Sequence, residues 1–213
     1  MVKSDLATEV VDFGTKNSNP RTEKISKITI HHMAGNTGAV TCAKNHYNGN
    51  CSANYYISSE GVICAGVSEN RRAWTSSSSW NDQRAITIEV ANNSGAPSWT
   101  VSDKAYRALI KLCADICKRY GINPHYDGTK NGTLTIHKMY YNTECCGPYL
   151  IGKHEDESIE RDIKAEMAGG EAPAPAGKLY RVQCGAFRIK SNAEALVKEL
   201  QSKGYADAFI VEK

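Results

Sequence analysis

The segment KITIH (Lys27–His31) decides the fold prediction, because it joins a short β-branched run to a side chain that can bind a metal ion. Such a run favours a buried strand. His31 then lies at the end of the strand, where a cleft can form. The adjacent His32 points to the opposite face of the strand, so we expect it to pack or to support the site rather than to share an ion with His31.

A second segment, IHKMYYNTECCGP (Ile136–Pro148), extends this pattern. It places His137 at the end of another predicted strand, Thr133–His137, and Cys145 eight residues after His137. Two imidazoles and one thiolate suit a tetrahedral zinc ion that keeps its fourth position for water. Cys146 competes with Cys145 as a ligand because the two are adjacent. Together the two segments indicate a metal-dependent hydrolase.

Glu89 lies in the predicted strand AITIEVA (Ala85–Ala91), between two β-branched apolar residues. A carboxylate in this setting is costly unless it is paired or functional. One interpretation is that Glu89 points to solvent from a half-buried strand. The other is that it faces the cleft and acts as a general base for zinc-activated water.

The rest of the large domain predicts an α/β fold with a mixed central sheet flanked by helices. Strands Asn54–Ser58 and Val62–Ala65 are expected to form a hairpin through Ser-Glu-Gly. The predicted helices are Ala39–Tyr47, Asp103–Tyr120 and a last one from about Glu155 to Met167. The longest has the clearest limits, since Ser102 can cap its start and Gly121 can take a left-handed conformation at its end.

Composition excludes several classes of protein. The net charge of +3 over 213 residues is mild, and no strongly basic stretch is interleaved with aromatic residues, so we do not expect nucleic-acid binding. The N-terminus lacks the apolar core of a secretory signal, and no apolar run approaches the ~18 residues that a membrane-spanning helix needs. We therefore expect synthesis in the cytoplasm and no membrane insertion.

Eight cysteines invite a disulfide interpretation. However, a chain of this length can form its own core, and nothing indicates oxidative secretion, so we expect free thiols. Cys113 and Cys117 lie four residues apart on a predicted helix and should pack as small apolar side chains. Cys42 and Cys51 bracket an Asn/Gly-rich stretch and can pair or stay free.

The segment AGGEAPAPAG (Ala168–Gly177) is a predicted linker, because alternating Pro and Ala with flanking Gly form a semi-stiff extended chain. It separates a catalytic domain (1–167) from a tail (178–213). The tail reads as strand LYRVQCGAF, helix SNAEALVKELQSK and strand YADAFIV, with a Ser191–Glu194 capping box and a stop at Gly204. One βαβ module is too small to stand alone, so we expect two copies to pair as a homodimer.

The large domain resembles the zinc-dependent N-acetylmuramoyl-L-alanine amidase family, the type 2 amidases of bacteriophage endolysins, which are related to peptidoglycan-recognition proteins. The segments that carry the resemblance lie in the family's order over residues 20–152: ITIHH, SANYYISSEG, AWTSSSSWNDQRAITIEVAN, the long helix and HKMYYNTECCG. The resemblance implies zinc-dependent cleavage of the amide between N-acetylmuramic acid and L-alanine in bacterial peptidoglycan. It also implies a lysin that acts on the cell wall after release from the host cytoplasm.

The resemblance assigns roles to individual residues. His31, His137 and Cys145 match the zinc ligands. Glu89 matches the catalytic glutamate, and Thr143 falls where the family has a Lys or Thr that stabilises the oxyanion.

Three positions depart from the family pattern. Asn54 stands where many relatives have His, Ala53 where some have a catalytic Tyr, and Thr75 where many have His after Trp. Because that Tyr is missing, more of the acid–base role should fall on Glu89. The residues expected to bind substrate are Asn54, Tyr55, Trp74 and Thr75.

The tail resembles half of a SPOR-type repeat through YRVQCGAF, NAEALVKEL and GYADAFIV. Full modules of that kind bind peptidoglycan, so the resemblance implies a wall-binding role. Three alternatives to a lytic amidase remain: a Cys/His peptidase using Cys145 and His137, a non-catalytic peptidoglycan-recognition module, and a recycling amidase acting on soluble muropeptides.

Overall fold

The computed structural model describes residues 1–169, 184–205 and 208–210. The chain divides into two compact units, Met1–Pro173 and Ala174–Lys213, and the division falls within the predicted linker. In the first unit the strands are β1 (Glu9–Val10), β2 (Ser18–Pro20), β3 (Lys27–His32), β4 (Tyr55–Ile57), β5 (Ile63–Ala65), β6 (Arg71–Ala73), β7 (Ala85–Val90) and β8 (Leu134–Ile136). The helices are α1 (Ala39–Asn48), α2 (Ser79–Arg84), α3 (Asp103–Tyr120), α4 (Gly147–Glu155) and α5 (Ser158–Met167).

A six-stranded mixed sheet in the order β1-β5-β4-β7-β3-β8 forms the centre of this unit. β3 pairs in parallel with both β7 and β8, while β4 and β5 form the predicted antiparallel hairpin. The predicted fold class is therefore confirmed. β2 and β6 form a separate two-stranded sheet.

The two faces of the main sheet differ in chemistry, because successive side chains of a strand point to opposite faces. One face is apolar and carries buried isoleucines from β3 and β7, such as Ile30 and Ile88, which pack with α3 and α5. We call this the core face. The other carries Thr29, Thr87 and, further along the strands, His31 and Glu89. We call it the site face.

Helix α3 has the predicted limits. The Ser102 hydroxyl accepts a hydrogen bond from the Ala105 amide at 3.1 Å, and Gly121 adopts a left-handed conformation with φ of 65°. Cys113 and Cys117 are buried in the core as expected, and all eight cysteines are free.

The predicted helix from Glu155 to Met167 is wrong in its extent. The chain forms two helices, α4 and α5, which are separated where Glu157 adopts a φ of 60°. α4 begins at Gly147 with Pro148 in its first turn, a position where the missing amide hydrogen of proline costs nothing. The same Gly-Pro pair reads as a turn in the sequence, which explains the missed helix.

The second unit contains helix α6 (Lys190–Ser202), close to its predicted position. The predicted capping box does not form, because the N-cap is Ile189, two residues before Ser191, and its side chain makes no cap hydrogen bond. The two predicted strands of the tail lie partly outside the described residues, and their described parts, 184–187, 205 and 208–210, are not in strands. Among the described helices, none is long and apolar enough to cross a membrane.

Candidate metal centre

Three chain segments bring their functional side chains together at one edge of the sheet. β3, β7 and β8 run parallel, so their carboxyl ends meet at this edge. His31 and Glu89 are directly opposite each other in the β3–β7 register. His137 follows the last residue of β8 and begins a short 3-10 turn. The site therefore lies at the carboxyl ends of parallel strands, where open α/β sheets form their ligand-binding crevices.

The donor atoms of His31, His137 and Cys145 all lie within 4.8 Å of one another. The Cys145 Sγ is 3.6 Å from the His31 Nδ1, and the two imidazole rings have centroids 4.6 Å apart. This is the one such group of metal-binding side chains in the described residues. Two imidazoles and a thiol at these separations fit a zinc ion with an open fourth position.

The two adjacent cysteines have different environments. Cys146 is completely buried and packs in the core with Leu150, whereas Cys145 carries its sulfur to the two histidines. The Cys145 backbone is held in place on both sides: its carbonyl accepts from the Lys138 amide at 3.0 Å, and its amide donates to the Thr143 hydroxyl at 3.2 Å. Thr143 itself is half-buried beside the candidate ligand.

The environment of the two imidazoles keeps them neutral, so each can offer a nitrogen lone pair to a metal ion. Burial lowers the pKa of His31 well below its usual value, and the neighbouring His137 lowers it further. Burial also lowers the pKa of His137, although a hydrogen bond with the Ser76 backbone partly opposes this shift. The Nε2 atoms of both rings are buried without a hydrogen-bond partner among the described residues. Unpartnered buried nitrogens of this kind are what a metal site requires.

The Cys145 thiol needs a cation to ionise. Burial raises its pKa, and the Glu89 carboxylate adds to the rise. A coordinated cation reverses this effect, because a metal-bound thiol is deprotonated outright. The backbone amide of His32 lies 3.4 Å from the sulfur and can donate to the resulting thiolate. His32 thus supports the site through its backbone, while its ring packs edge-on against Trp99.

Glu89 faces the site and not the solvent. It is 7% exposed, and its Oε1 is 4.0 Å from the His31 Nδ1. Burial raises the pKa of Glu89 to about 8. A cation held by the three neighbouring ligands would lower this pKa again, and the carboxylate could then accept a proton and return it.

The loop before α2 positions His137, and the sequence interpretation missed it. The Asp82 carboxylate accepts hydrogen bonds from the Thr75 amide at 3.1 Å, the Ser76 amide at 3.2 Å and the Ser76 hydroxyl at 2.6 Å. It thereby fixes the backbone of Ser76, which contacts the His137 ring. The available signal was Ser78 followed by Asp82, a capped first turn with an acidic residue.

Two of the four predicted substrate-binding residues are accessible. Trp74 is 39% exposed, and its indole nitrogen donates to the Asn19 side chain at 2.7 Å. Thr75 is half-buried, with its hydroxyl donating to the Ser52 carbonyl at 2.6 Å and lying 2.8 Å from the Thr87 hydroxyl.

The other two predicted substrate-binding residues are enclosed, and these assignments are corrected. Tyr55 is fully buried on the core face, where its hydroxyl donates to Glu69 and accepts from the Ser4 amide at 2.6 Å. Asn54 is fully buried on the site face; its amide oxygen accepts from the Thr87 amide at 3.1 Å. Asn54 therefore joins β4 to β7, and Tyr55 stabilises the fold.

Two protein-family models match parts of the sequence. The family model for N-acetylmuramoyl-L-alanine amidase matches residues 21–155, and the SPOR domain model matches residues 176–213. A search of curated proteins found no match to the sequence.

Several solved structures share the fold. PlyL is 14% identical with a TM-score of 0.58, covering 73% of this chain and 95% of that chain. The Staphylococcus aureus hydrolase AmiA is 16% identical with a TM-score of 0.57, covering 77% and 86%. The endolysin N-acetylmuramoyl-L-alanine amidase LysCS from Clostridium intestinale is 21% identical with a TM-score of 0.51, covering 70% and 96%. With the family match over most of the first unit, the chain belongs to the N-acetylmuramoyl-L-alanine amidase family.

Proposed function

We propose that this chain is a zinc-dependent peptidoglycan hydrolase, which cleaves the amide between the lactyl group of N-acetylmuramic acid and L-alanine and so lyses bacteria. The observation that carries the proposal is the convergence of His31, His137 and Cys145 beside the buried carboxylate of Glu89. Membership of the amidase family supplies the reaction class.

His31, His137 and Cys145 would hold the zinc ion, as two neutral imidazoles and one thiolate. A zinc ion held there supplies Lewis acidity, which makes water nucleophilic near neutral pH and polarises the scissile carbonyl. The thiolate would contribute one negative charge and the zinc ion two positive charges, while both imidazoles are neutral. The centre would therefore keep a net positive charge. The hydrogen bond from the His32 amide and the contact between the Ser76 backbone and His137 orient two of the three ligands.

Glu89 would act as the general base and then as the general acid of the reaction. It accepts a proton from the attacking water and returns it to the leaving amine of L-alanine, which needs the proton to depart. Its place opposite His31 in the strand register keeps it beside the reacting atoms. Thr143 would donate a hydrogen bond to the developing oxyanion.

The environment of Cys145 argues against a Cys/His peptidase. A nucleophilic cysteine needs a depressed pKa, whereas burial and the Glu89 carboxylate raise the pKa of Cys145. The presence of all three candidate ligands likewise disfavours a module that only recognises peptidoglycan.

For the second unit we propose wall binding and self-pairing. The match to the SPOR domain supports the first role. For the second, helix α6 has no buried residue, and Phe187, Ile189 and Tyr205 are 46%, 61% and 60% exposed. A second copy would cover these side chains. Sedimentation equilibrium of the full chain should give a dimer, and Ile189→Asp should give a folded monomer; a monomeric wild type would contradict the pairing.

The function is tested by digesting purified cell walls and identifying the products by mass spectrometry. We expect stem peptides with free L-alanine N-termini and no new reducing sugars, with loss of activity in a chelator and recovery on addition of zinc. Glu89→Gln should bind zinc yet release no peptide. New reducing ends, or cleavage inside the stem peptide, would contradict the proposal.

A further inference from the structure

The ring of His32 has no role in the proposed reaction, although it lies one residue from a candidate ligand. His32 is the last residue of β3 and follows His31, so its side chain points to the other face of the strand. There the half-buried ring packs edge-on against Trp99, with centroids 5.5 Å apart and an angle of 89° between the two rings. The ring can therefore act on the metal centre only through the residues that it touches.

The His32 ring also contacts Gly147, two residues after Cys145. Gly147 has a φ of 80°, a left-handed conformation that glycine adopts readily. A Cβ on Gly147 would lie 2.7 Å from the His32 Nδ1, 2.9 Å from the His32 Cε1 and 3.2 Å from the Trp99 Cβ. Non-bonded carbon atoms in contact are about 3.5–4.0 Å apart, so the ring fills the space that a side chain at this position needs.

Gly147 is the last residue of a short turn that carries Cys145. We call residues 144–147 the ligand turn. Its ends are joined by a hydrogen bond of 2.7 Å from the Gly147 amide to the Glu144 carbonyl. The Cys145 sulfur lies 3.6 Å from the His31 Nδ1, on the side of the metal centre. Because the turn is short and closed by this bond, a displacement of Gly147 also displaces the Cys145 sulfur.

The surroundings of the His32 ring are fixed on both sides. On one side, the His32 backbone amide lies 3.4 Å from the Cys145 sulfur, so the main chain of the same residue contacts the ligand itself. On the other side, the Trp99 amide donates to the Gly95 carbonyl at 3.0 Å, and the Asn92 side chain donates to the Trp99 carbonyl at 2.8 Å. The ring thus lies against a loop whose backbone is held by hydrogen bonds.

We propose that His32 is a positioning residue of the metal centre. Its ring, in contact with Trp99 and Gly147, holds the ligand turn so that the Cys145 sulfur faces the two candidate histidine ligands. Without the ring, the turn can relax into the vacated space, and zinc binding must first restore the position of the sulfur. The inference rests on the proposed function, because it takes the zinc ion to be bound by this turn.

The first test measures the zinc Kd of the full chain by competition with a chromophoric chelator. His32→Ala should raise the Kd by about 10- to 100-fold, the usual effect of removing a group that orients a metal ligand. The matched control is Ile86→Ala, which truncates a fully buried side chain away from the ligand turn. It should lower the stability of the metal-free protein in urea, yet keep the wild-type Kd. The comparison therefore separates positioning of the ligand from general loss of stability.

The second test asks whether the ring acts through Gly147. Gly147→Ala should raise the zinc Kd strongly in the wild type, because its methyl group meets the ring. In the His32→Ala background the same substitution should raise the Kd by a factor at least about threefold smaller, since the ring is gone. The strain of a positive φ is present in both backgrounds and cancels in this comparison. Equal effects of Gly147→Ala in the two backgrounds would overturn the contact as the cause.

A zinc Kd of His32→Ala equal to that of the wild type, or a rise matched by Ile86→Ala, would overturn the proposal. If His32→Ala does not fold, Trp99→Ala replaces it, because this change removes the support of the ring from a loop and leaves β3 intact. A raised Kd in Trp99→Ala would support the proposal, and an unchanged Kd would overturn it.

If the wild type binds no zinc, the proposed function fails, and the role of the ring is then judged in the metal-free protein. The measurement is the rate at which iodoacetamide alkylates Cys145, followed by peptide mass spectrometry. A looser ligand turn exposes the thiol, so His32→Ala should be alkylated at least about threefold faster than the wild type and Ile86→Ala. Equal rates in the three proteins would overturn the proposal.

Discussion

The two faces of the central sheet use the same strands for different purposes. On the core face, Ile86 and Ile88 are fully buried against helices and contribute stability. On the site face of the same strand, Thr87 and Glu89 are also buried, yet they are polar. Burial is thus nearly equal on the two faces, and the chemistry of the side chains separates the structural face from the candidate catalytic face.

A polar face can be buried only when its groups find partners. The threonines achieve this with one another: the Thr29 hydroxyl lies 2.9 Å from that of Thr135, and the Thr87 hydroxyl lies 2.8 Å from that of Thr75. These pairs satisfy the hydrogen-bonding capacity of the buried hydroxyls on the site face. At the edge of the site face, the Nε2 atoms of His31 and His137 are buried without a hydrogen-bond partner among the described residues. A metal ion bound there would give both nitrogens a partner.

On the site face, Glu89→Gln should have the largest effect of all the substitutions, and this effect should be on kcat. We expect kcat to fall by about 10²- to 10⁴-fold, the usual contribution of general acid–base catalysis, because the amide cannot take a proton from water. Zinc content and thermal stability should stay near those of the wild type. Amide release from muramoyl peptides and metal analysis on the same sample measure both; full activity would remove Glu89 from the mechanism.

Ile86→Ala changes the core face of the same strand, three residues before Glu89. It should lower the stability of the protein and leave kcat unchanged. Truncating a fully buried isoleucine costs about 2–5 kcal/mol of unfolding free energy through lost burial and an added cavity. Below its lowered melting temperature the variant should keep wild-type kcat. Urea unfolding and kinetics at 15 °C check the two halves, and a large loss of kcat in the folded variant would show that the faces are not independent.

Tyr55→Phe tests the corrected role of that residue. Its hydroxyl bonds Glu69 and the Ser4 amide, so removal should cost about 1–3 kcal/mol of stability by leaving a buried donor unsatisfied. KM should not change, because the side chain lies on the core face. An increase in KM with unchanged stability would restore Tyr55 to the substrate site.

His154→Leu tests whether a buried imidazole in the core makes the stability of the protein depend on pH. His154 is buried with neither ring nitrogen partnered among the described residues, and burial lowers its pKa to about 3. The native state therefore excludes the proton that the unfolded chain binds below a pKa of about 6.5, so stability is full above that pH and falls as the pH drops from about 6.5 toward 3. At pH 5 this linkage amounts to about 2 kcal/mol, which the leucine variant should not lose. Urea unfolding at pH 7 and pH 5 measures the difference; equal pH dependence in both proteins would contradict it.

The sequence predicts local features well where several signals agree. Helix α3 has an apolar stripe, a serine cap and a terminal glycine, and the hairpin of β4 and β5 has a turn signal between two short strands; both form as expected. The placement of His31 and Glu89 on one face also follows from strand alternation once β3 and β7 are known to pair in register.

The errors arise where tertiary structure decides. Asn54 and Tyr55 are consecutive, so they point to opposite faces, and treating both as substrate contacts ignored that alternation. Helix α4 begins with Gly-Pro, which is a turn signal unless the chain continues as a helix. The choice between Cys145 and Cys146 depends on which sulfur turns toward the histidines, and spacing alone does not encode this.

Whether His31, His137 and Cys145 form a zinc centre is decided by the zinc content of three purified proteins: the wild type, Cys145→Ser and Cys146→Ser, each confirmed as folded by circular dichroism. We expect one zinc ion per chain in the wild type and in Cys146→Ser, and little zinc in Cys145→Ser. Zinc retained by Cys145→Ser at the wild-type level, or lost only from a folded Cys146→Ser, would contradict a centre built from His31, His137 and Cys145.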